Sequence, residues 1–430
     1  MKRRSFIKNS VGAGMAFGFF PYILKAGVNF EFPVHQITSG EKQHWFGYYD
    51  KWQVDPSGRY ALGNQVELIF RSPQPSDLLR IGLIDLENNN QWKELGQSTA
   101  WSWQQGCMLQ WIPGSSSEVI WNDREGDDFV SRVHDIKSGR TRTLPRPVYA
   151  LSPDGSFGLA VDFARLQKMR PGYGYATSGK ADNWDKAPGD DGIFRMDLKT
   201  GESRLIISLA QLASLDRESG SVAGNFHWCN HLLVSPSGNR FIFLNRSRDY
   251  LLDRETRKTK NWNSDYTTRA ITCNTDGSDI YVLNDSGNFS HFIWKDDDTI
   301  TAWASTEDGN KAAFYEFYDR SKKYKKLDDE KMPENGHNTY VPNTNNEWIL
   351  NDTYPYRHPE HKQTLYLYHV PTRRKVILGE FFEPKVFKGE WRCDLHPRCD
   401  QQGNRVFFDS THNDGRRQMY MIDIEKIVHG

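Results

Sequence analysis

The chain has 430 residues, of which 37% are hydrophobic and 26% are charged, a composition typical of a soluble globular protein. Its 55 basic and 55 acidic residues give a formal net charge of zero, which argues against a nucleic-acid partner, because nucleic-acid-binding domains are usually strongly basic. The five cysteines contain no CxxC pair and are odd in number, so we expect buried free thiols, with a Cys393–Cys399 bridge as the alternative.

The N-terminal segment has the features of an export signal. It resembles the twin-arginine motif and reads Arg3-Arg4-Ser5-Phe6-Ile7-Lys8, with Lys2 in place of the usual Ser or Thr. The apolar stretch from Val11 to Leu24 is shorter than the roughly 20 residues of a membrane span. We therefore expect residues 1–27 to be a signal segment, the protein to be periplasmic or secreted, and the mature chain to have no stable membrane span. A frayed N-terminal helix is the alternative.

A repeated unit runs through the rest of the chain: a β-rich run, a tight turn with Pro, Gly or Asp, and a second β-rich run. Each unit reads as a β-hairpin and is followed by further β-rich runs. The seven hairpins begin at Tyr49, Cys107, Val148, His231, His291, His337 and His396. Seven units of four antiparallel strands predict an all-β fold, a seven-bladed β-propeller over residues 28–430.

The two ends of this array predict how the ring closes. The last unit lacks a fourth strand, and a β-like run at residues 28–32 precedes the first unit. We expect this N-terminal run to fill the missing place, because closure removes exposed sheet edges. The longest interval between hairpins, from Val148 to His231, includes residues 170–175 and predicts a loop over one face of the propeller.

Four histidines occupy one register of consecutive hairpins. Counted from the turn, the same position is taken in the seven units by Lys51, Met108, Val148, His231, His291, His337 and His396. Residues at one register of the inner strands point the same way, so we expect the four imidazoles to meet at the channel mouth. Imidazole binds divalent metals and is a base near neutral pH, so the cluster indicates a metal or acid–base site. Histidines bonded to neighbouring backbone are the structural alternative.

Other residues near the third blade and the channel mouth are candidates for substrate contacts. Arg165 and Arg170 can each bind a carboxylate through the planar guanidinium, with surface ion pairs as the alternative. Tyrosine rings can stack on a sugar or order their loop. The remaining substrate-binding candidates are Tyr173, Tyr175, Gln105 and His44.

Some of these segments resemble known propeller families. The runs at residues 235–243 and 409–423 resemble the repeat of TolB-type propellers. The histidine-bearing blades resemble those of the oligogalacturonate-lyase-like propellers and, more distantly, the propeller ulvan lyases. In the former family, channel histidines and a glutamine hold a divalent metal, usually manganese, and another histidine is the base.

The resemblance implies roles for the four histidines. It implies a divalent metal, manganese first with zinc or calcium as alternatives, held by His291, His337 and His396, and it implies that His231 is the base. In the last blade the family pattern is His-x-His, whereas this chain has Asp394 two residues before His396. Either Asp394 is a ligand or the ligand set differs.

The same resemblance implies a lyase that cleaves acidic, uronate-containing oligosaccharides or polysaccharides by β-elimination. A metal or an arginine such as Arg165 would stabilise the enolate-like charge, and His231 or Tyr149 would take the C5 proton. Two alternatives stay open. One is a non-catalytic TolB-like propeller that binds a protein or glycan in the envelope, and the other is a propeller hydrolase acting on acidic sugars.

Overall fold

Seven four-stranded antiparallel sheets follow one another along the chain. They are seen in a computed structural model that describes residues 31–68, 70–177, 184–217, 220–253 and 255–430. In the first six sheets the strands lie in sequence order, and the seventh is completed by an N-terminal strand. The predicted seven-bladed propeller is therefore confirmed. The predicted signal segment, residues 1–27, lies outside the described residues.

The strands are numbered in chain order, and the first strand of each blade is the innermost. The N-terminal strand is β1, His35–Gln36. Blades one and two consist of β2 Gln43–Trp45, β3 Tyr60–Val66, β4 Leu79–Asp85, β5 Gln91–Ser98, β6 Gln110–Trp111, β7 Glu118–Glu125, β8 Asp128–Asp135 and β9 Thr141–Leu144. Blades three and four consist of β10 Ala150–Leu151, β11 Phe157–Ala160, β12 Gly192–Asp197, β13 Ser203–Ser208, β14 Phe226–Val234, β15 Arg240–Arg248, β16 Thr267–Asn274 and β17 Tyr281–Asn284.

The remaining blades follow the same pattern. Blades five and six consist of β18 Phe289–Trp294, β19 Thr299–Ala304, β20 Ala313–Tyr318, β21 Tyr324–Lys326, β22 Thr339–Tyr340, β23 Trp348–Asn351, β24 Lys362–His369 and β25 Arg374–Phe382. Blade seven consists of β26 Arg398–Cys399, β27 Arg405–Ser410, β28 Gln418–Asp423 and β1. The helices are α1 Phe163–Met169, α2 Leu209–Ser214, α3 Thr256–Thr259 and α4 Glu425–Val428, with 3-10 turns at Pro355–Arg357 and Gly389–Trp391.

The ring is closed by an N-terminal strand, as predicted, but the predicted residues were wrong. Strand β1 pairs with β28 through His35 opposite Met421 and Gln36 opposite Tyr420. Residues 31 and 32 of the predicted run are not in a strand, and residues 28–30 lie outside the described part. Pro33 has no N–H to give to the ladder, so the pairing begins only after it.

The hairpin turns explain why the repeat is visible in the sequence. In blade one the Asp55 carboxylate accepts the backbone N–H groups of Ser57 and Tyr60, at 3.1 and 2.7 Å. Gly58 then takes a left-handed φ of 79°, and Gly238 takes the same place in blade four with φ of 80°. Asp or Ser at the start and Gly at the end are the residues this turn requires, so they recur.

The core lies between the faces of neighbouring blades and contains many of the aromatic side chains. Trp45, Trp111 and Trp228 are each at most 1% exposed. This burial favours packing as the reason for the high tryptophan content. All five cysteines are buried and free, which confirms the expectation of unpaired thiols.

The long interval of blade three contains a helix as well as the predicted loop. Helix α1 begins after Asp162, whose side chain accepts the backbone N–H groups of Ala164 and Arg165. The helix was not predicted, because its apolar residues are too few to give a clear period. Within the described ranges, the helices are all too short and too polar to cross a membrane.

Candidate active site and metal centre

The four histidines of the shared register lie on or just before the inner strands of blades four to seven. His231 lies in β14 and His291 in β18, each at a break in the strand register. His337 precedes β22 and His396 precedes β26. His231, His291 and His396 have left-handed φ angles of 53°, 38° and 43°. Such residues are uncommon and leave the regular alternation of a strand, which here gathers the imidazoles in one cluster.

Three of the imidazoles form a contiguous row. The ring centroids of His291 and His337 are 4.3 Å apart, and those of His337 and His396 are also 4.3 Å apart. Tyr48 lies edge-on against His231 and His396, with 5.1 Å between ring centroids in each case. His231 is therefore joined to the row through an intervening tyrosine.

Hydrogen bonds fix which nitrogen of His291 and His337 carries the hydrogen. His291 Nδ1 lies 2.8 Å from Asn335 Oδ1, and His337 Nδ1 lies 2.9 Å from Asp352 Oδ2. Amide and carboxylate oxygens only accept, so both Nδ1 atoms donate and both Nε2 atoms carry lone pairs. The Tyr354 hydroxyl lies 3.2 Å from His291 Nε2 and 3.4 Å from His337 Nε2. The Tyr354 hydroxyl has one hydrogen and can donate to only one of these two Nε2 atoms, so the lone pair of the other has no donor.

The third imidazole of the row adds another buried nitrogen without a hydrogen-bond partner among the described residues, His396 Nε2. Donor atoms of His337, Asp394 and His396 lie within 4.8 Å of one another. Imidazole nitrogens and a carboxylate suit manganese or zinc, so these residues fit the metal that the sequence predicted. Asp394 joins the candidate ligands.

Burial keeps the imidazoles neutral. It lowers the pKa of His337 to about 4 and lowers the pKa values of His231, His291 and His396 well below the ordinary range. Neutral imidazole is the form that binds a metal or accepts a proton. Burial also raises the pKa of Asp352 to about 7. Its carboxylate accepts the backbone N–H groups of His337, at 2.7 Å, and of His396.

The surroundings of His231 determine its tautomer. The Tyr49 hydroxyl donates to the Phe292 carbonyl oxygen at 3.0 Å and lies 3.3 Å from His231 Nε2. Since the single hydroxyl hydrogen goes to the carbonyl, Nε2 is the donor to Tyr49 and Nδ1 carries the lone pair. His231 Nδ1 has no hydrogen bond among the described residues, and Asp50 Oδ2 lies 3.8 Å from Nε2. The ring is thus arranged as a base with a carboxylate behind it.

The histidine cluster opens into a cavity of about 730 Å³. Its wall contains His231, His291 and Asp394, and also basic and aromatic side chains that the histidine register does not include. They include Tyr48, Arg170, Tyr173, Arg246, Tyr266, Tyr354 and Arg392, and the wall also contains the acidic side chain of Glu383. A cavity with convergent polar groups at the mouth of a propeller is a candidate active site.

Two predicted substrate-binding residues line this cavity. Arg170 lies with its guanidinium carbon 5.2 Å from the Tyr173 ring centroid. The Tyr173 hydroxyl accepts a hydrogen bond of 2.9 Å from Arg392 Nη2, and Arg392 Nε donates to Asp394 Oδ2 at 2.7 Å. Burial alone would raise the pKa of Tyr173, but Arg392 and Arg170 hold it below its ordinary value. The predicted loop therefore places Tyr173 so that Arg392 links it to Asp394, the carboxylate among the candidate metal ligands.

Tyr149 and Gln105 are buried beside the cluster. Gln105 Nε2 donates to the Tyr149 hydroxyl at 2.8 Å, and the backbone N–H of His231 also bonds Tyr149. Burial raises the pKa of Tyr149 well above its ordinary value, so the phenol is neutral. Of the residues that the structure describes, those lining the cavity include neither of the two. Their placement supports a role in holding His231.

Arg165, Tyr175 and His44 are likewise missing from the described cavity lining. The Arg165 guanidinium donates to backbone carbonyl oxygens, including that of His227 at 2.7 Å. Tyr175 is 0% exposed and stacks on Phe163 with 4.3 Å between ring centroids. His44 bonds a glutamine of β3 through Nε2 at 2.8 Å. All three side chains stabilise the propeller through hydrogen bonds or ring stacking.

Several site residues escaped sequence reasoning because they follow no repeat. Tyr354 comes from the connection after β23, and Arg246 comes from β15, the second strand of its blade. Tyr48 and Tyr49 lie before the first hairpin turn, in a segment where only His44 was predicted to be a site residue. An aromatic pair followed by Asp50, inside a hairpin otherwise aligned with the histidine blades, was the one signal available.

Comparisons with known proteins show which solved structures share this fold. No protein-family model matches the chain, and no curated protein matches it. An oligogalacturonate lyase solved in complex with manganese is similar in structure, with a TM-score of 0.63, 12% identity, and coverage of 94% of this chain and 96% of the lyase. Oligogalacturonate lyase from Vibrio parahaemolyticus has a TM-score of 0.60, 13% identity, and coverage of 92% and 94%.

TolB from Acinetobacter baumannii is also similar, with a TM-score of 0.40, 12% identity, and coverage of 85% of this chain and 81% of TolB. At these identities the likeness is one of fold. The resemblance predicted from the blades and their turns is confirmed at that level: the chain has the seven-bladed propeller fold of the oligogalacturonate lyases.

Proposed function

We propose that this protein is a polysaccharide or oligosaccharide lyase that cleaves uronate-containing glycans by metal-assisted β-elimination. One observation carries the proposal. The imidazole rings of His291, His337 and His396 lie in one row, and His291 at one end of the row lines the same cavity as His231 and Asp394. A cation site beside a base is the arrangement that proton abstraction next to a carboxylate requires.

The metal ligands in this proposal are His291, His337 and His396, with Asp394 as a fourth. Manganese is the first candidate, since a structurally similar oligogalacturonate lyase was solved in complex with manganese. When bound, the cation supplies positive charge that stabilises negative charge developing on the substrate carboxylate. Asp352 orients His337 and makes it a better ligand by accepting its Nδ1–H.

The proton chemistry belongs to residues of this chain. His231 Nδ1 takes the C5 proton, the C5–H electron pair forms the C4–C5 double bond, and the C4–O bond breaks. The positive charge that arises on His231 faces the Asp50 carboxylate. Burial, followed by the nearby Asp394, raises the pKa of Glu383 to about 8, so Glu383 is protonated at neutral pH. It lines the same cavity and is the candidate donor of a proton to the leaving oxygen.

We further propose that the protein works in the periplasm or outside the cell, exported by the twin-arginine route. The motif at Arg3 and Arg4 and the following apolar stretch support this location. Replacing both arginines by lysine should leave the full-length protein in the cytoplasm. Export of that variant at the normal rate would contradict the proposed route.

The experiment that tests the function combines metal content with product absorbance. Purified protein should contain about one divalent metal per chain, and it should convert oligogalacturonate or another uronate glycan to an unsaturated, ultraviolet-absorbing product. The variant His337→Ala should lose the metal, and His231→Gln should keep the metal and lose the product. His369→Gln is the matched control, because His369 lies in β24 and bonds Thr372 outside the cavity.

The outcomes separate the competing functions. Metal with cleavage but no ultraviolet-absorbing product would contradict elimination and indicate a hydrolase. Absence of metal and of any cleavage in a folded protein would contradict the lyase and favour a binding propeller.

A further inference from the structure

A second group of cations lies on the blade-four side of the same cavity, where Arg170 and Arg246 are lining residues and Arg248 lies behind them. The guanidinium carbons of Arg170 and Arg246 lie 4.9 and 5.0 Å from the centroid of the Tyr266 ring. Arg248 approaches the same ring at 5.6 Å. Three guanidinium groups around one tyrosine concentrate positive charge at this wall.

The charge of this group is not balanced within the part of the chain that the structure describes. No carboxylate there lies within 4.0 Å of Arg170, Arg246 or Arg248. Their hydrogen bonds go to neutral oxygens: Arg170 Nη1 to Asn263 O at 2.7 Å, Arg246 Nε to a threonine hydroxyl at 3.3 Å, and Arg248 Nη2 to Met169 O at 2.7 Å. An unpaired charge at such a site favours binding of an anion.

Unused hydrogen-bond donors accompany the excess charge. Arg170 Nε, Arg248 Nε and Arg248 Nη1 are buried and have no partner among the described residues. The pKa of Tyr266 agrees with a positive potential, because burial alone would raise it and yet Arg246 and Arg170 hold it below its ordinary value. The unused arginine N–H groups and the positive potential at Tyr266 both indicate that this site binds an anion.

This group differs from the arginine at the metal centre. Arg392 already donates to Asp394 at 2.7 Å, so a counter-charge is present there. Tyr173 lies between the two places, since its ring faces Arg170 and its hydroxyl bonds Arg392. One tyrosine side chain therefore contacts both the metal-centre arginine and Arg170 of the second group.

We propose that Arg170 and Arg246 form a second anion subsite, which holds the acidic group of a sugar next to the one that is cleaved. The inference rests on the proposed function for the first, metal-centred subsite. Planar guanidinium groups bind a carboxylate or a sulfate ester through paired hydrogen bonds. The preferred ligand is thus a glycan with at least two acidic sugars, and a single uronate fills only half of the site.

Direct binding tests this subsite without using catalysis. Calorimetry on the full protein compares galacturonate with digalacturonate, in the His231→Gln background so that no ligand is consumed. Digalacturonate should bind at least about 10-fold more tightly than galacturonate, and Arg246→Gln should remove about 10- to 100-fold of affinity for the dimer only. Arg217→Gln is the matched control, since Arg217 pairs with Asp285 outside the cavity.

A salt series and a second ligand complete the design. In the unsubstituted subsite, raising the NaCl concentration should weaken dimer binding more than monomer binding, which tests the idea even if Arg246→Gln fails to fold. A disaccharide with one uronate and one sulfate ester identifies the preferred anion. Tighter binding of either disaccharide, dependent on Arg246, supports the subsite and names its acidic group.

The failures are distinguishable. If galacturonate and digalacturonate bind equally and Arg246→Gln changes neither, the second subsite is wrong while the metal-centred function stands. If no uronate binds to metal-loaded protein, both proposals are wrong.

Discussion

His231 Nε2 lies 3.3 Å from the Tyr49 hydroxyl oxygen, and this contact decides which nitrogen of His231 is free. The hydroxyl hydrogen is used by the Phe292 carbonyl, so the imidazole must donate from Nε2. The lone pair is then on Nδ1, the nitrogen without a hydrogen bond in the described structure. Tyr49, which is not among the described lining residues of the cavity, thus sets the tautomer of the proposed base.

Removing this hydroxyl should slow the reaction without changing substrate binding. In Tyr49→Phe the Nε2–H loses its acceptor and the imidazole can change tautomer, so we expect kcat to fall about 10-fold or more with KM nearly unchanged. Steady-state kinetics measures both constants. The matched control is Tyr340→Phe, which removes a buried hydroxyl bonded to Thr301 at 2.7 Å, away from the cavity. Equal kcat losses in both variants would contradict the tautomer argument.

Asp352 should govern metal affinity although it is not a proposed ligand. Its carboxylate accepts Nδ1–H and the backbone N–H of His337. Asp352→Asn should weaken manganese binding about 10- to 100-fold, because the orienting partner of a metal-bound histidine is lost. Titration with manganese, followed by calorimetry, measures this. Asp319→Asn, at a buried carboxylate paired with Arg240, is the control for general destabilisation. Unchanged affinity in Asp352→Asn would exclude His337 as a ligand.

The fold was predictable from sequence because its determinants are local. In blades one, three, four and seven the hairpin turn has Asp or Ser at its start and Gly in a left-handed position, as at Asp55 and Gly58. The closing strand was misplaced because β1 has two residues, too few to show an alternation. Only its pairing with β28 defines it, and that contact joins the two ends of the chain.

The site was predictable where it follows the repeat, and also at Arg170 and Tyr173 of the long interval in blade three. The histidines share a register, so a single alignment of turns brings them together. Tyr354 and Arg246 reach the cavity from a loop and a second strand, and no spacing in the sequence connects them to His291. At Arg165 the sequence reveals a guanidinium but not the backbone carbonyl oxygens to which it donates hydrogen bonds.

Glu383 gives a prediction about pH. Its pKa is raised to about 8 in the folded protein, against an ordinary value of 4.5. The stability that its neutral form contributes is complete below pH 4.5 and is lost as the pH rises through about 8. In metal-free protein, the Tm of Glu383→Gln should therefore rise relative to wild type between pH 5 and pH 8, by about 2 °C or more.

Calorimetric scans at the two pH values measure this difference. Glu360→Gln, at an exposed carboxylate beside Lys362, is the control and should show no such trend. If the Tm difference for Glu383→Gln were constant across this range, the carboxyl would be ionised throughout, and it would not be the acid proposed for the leaving oxygen.

Gly336 should be as important to the metal centre as a ligand, for a steric reason. A Cβ atom on Gly336 would collide with the Asp352 carbonyl oxygen and would lie 2.7 Å from Asn351 Oδ1. Both atoms belong to rigid, buried segments, so Gly336→Ala must push His337 away from Asp352. We expect a loss of about 1–3 kcal/mol of stability and at least about 10-fold weaker metal binding. Gly224→Ala is the matched control, because its Cβ would meet no atom within 4 Å. Normal metal affinity in Gly336→Ala would mean that the contact between His337 and Asp352 does not position the ligand.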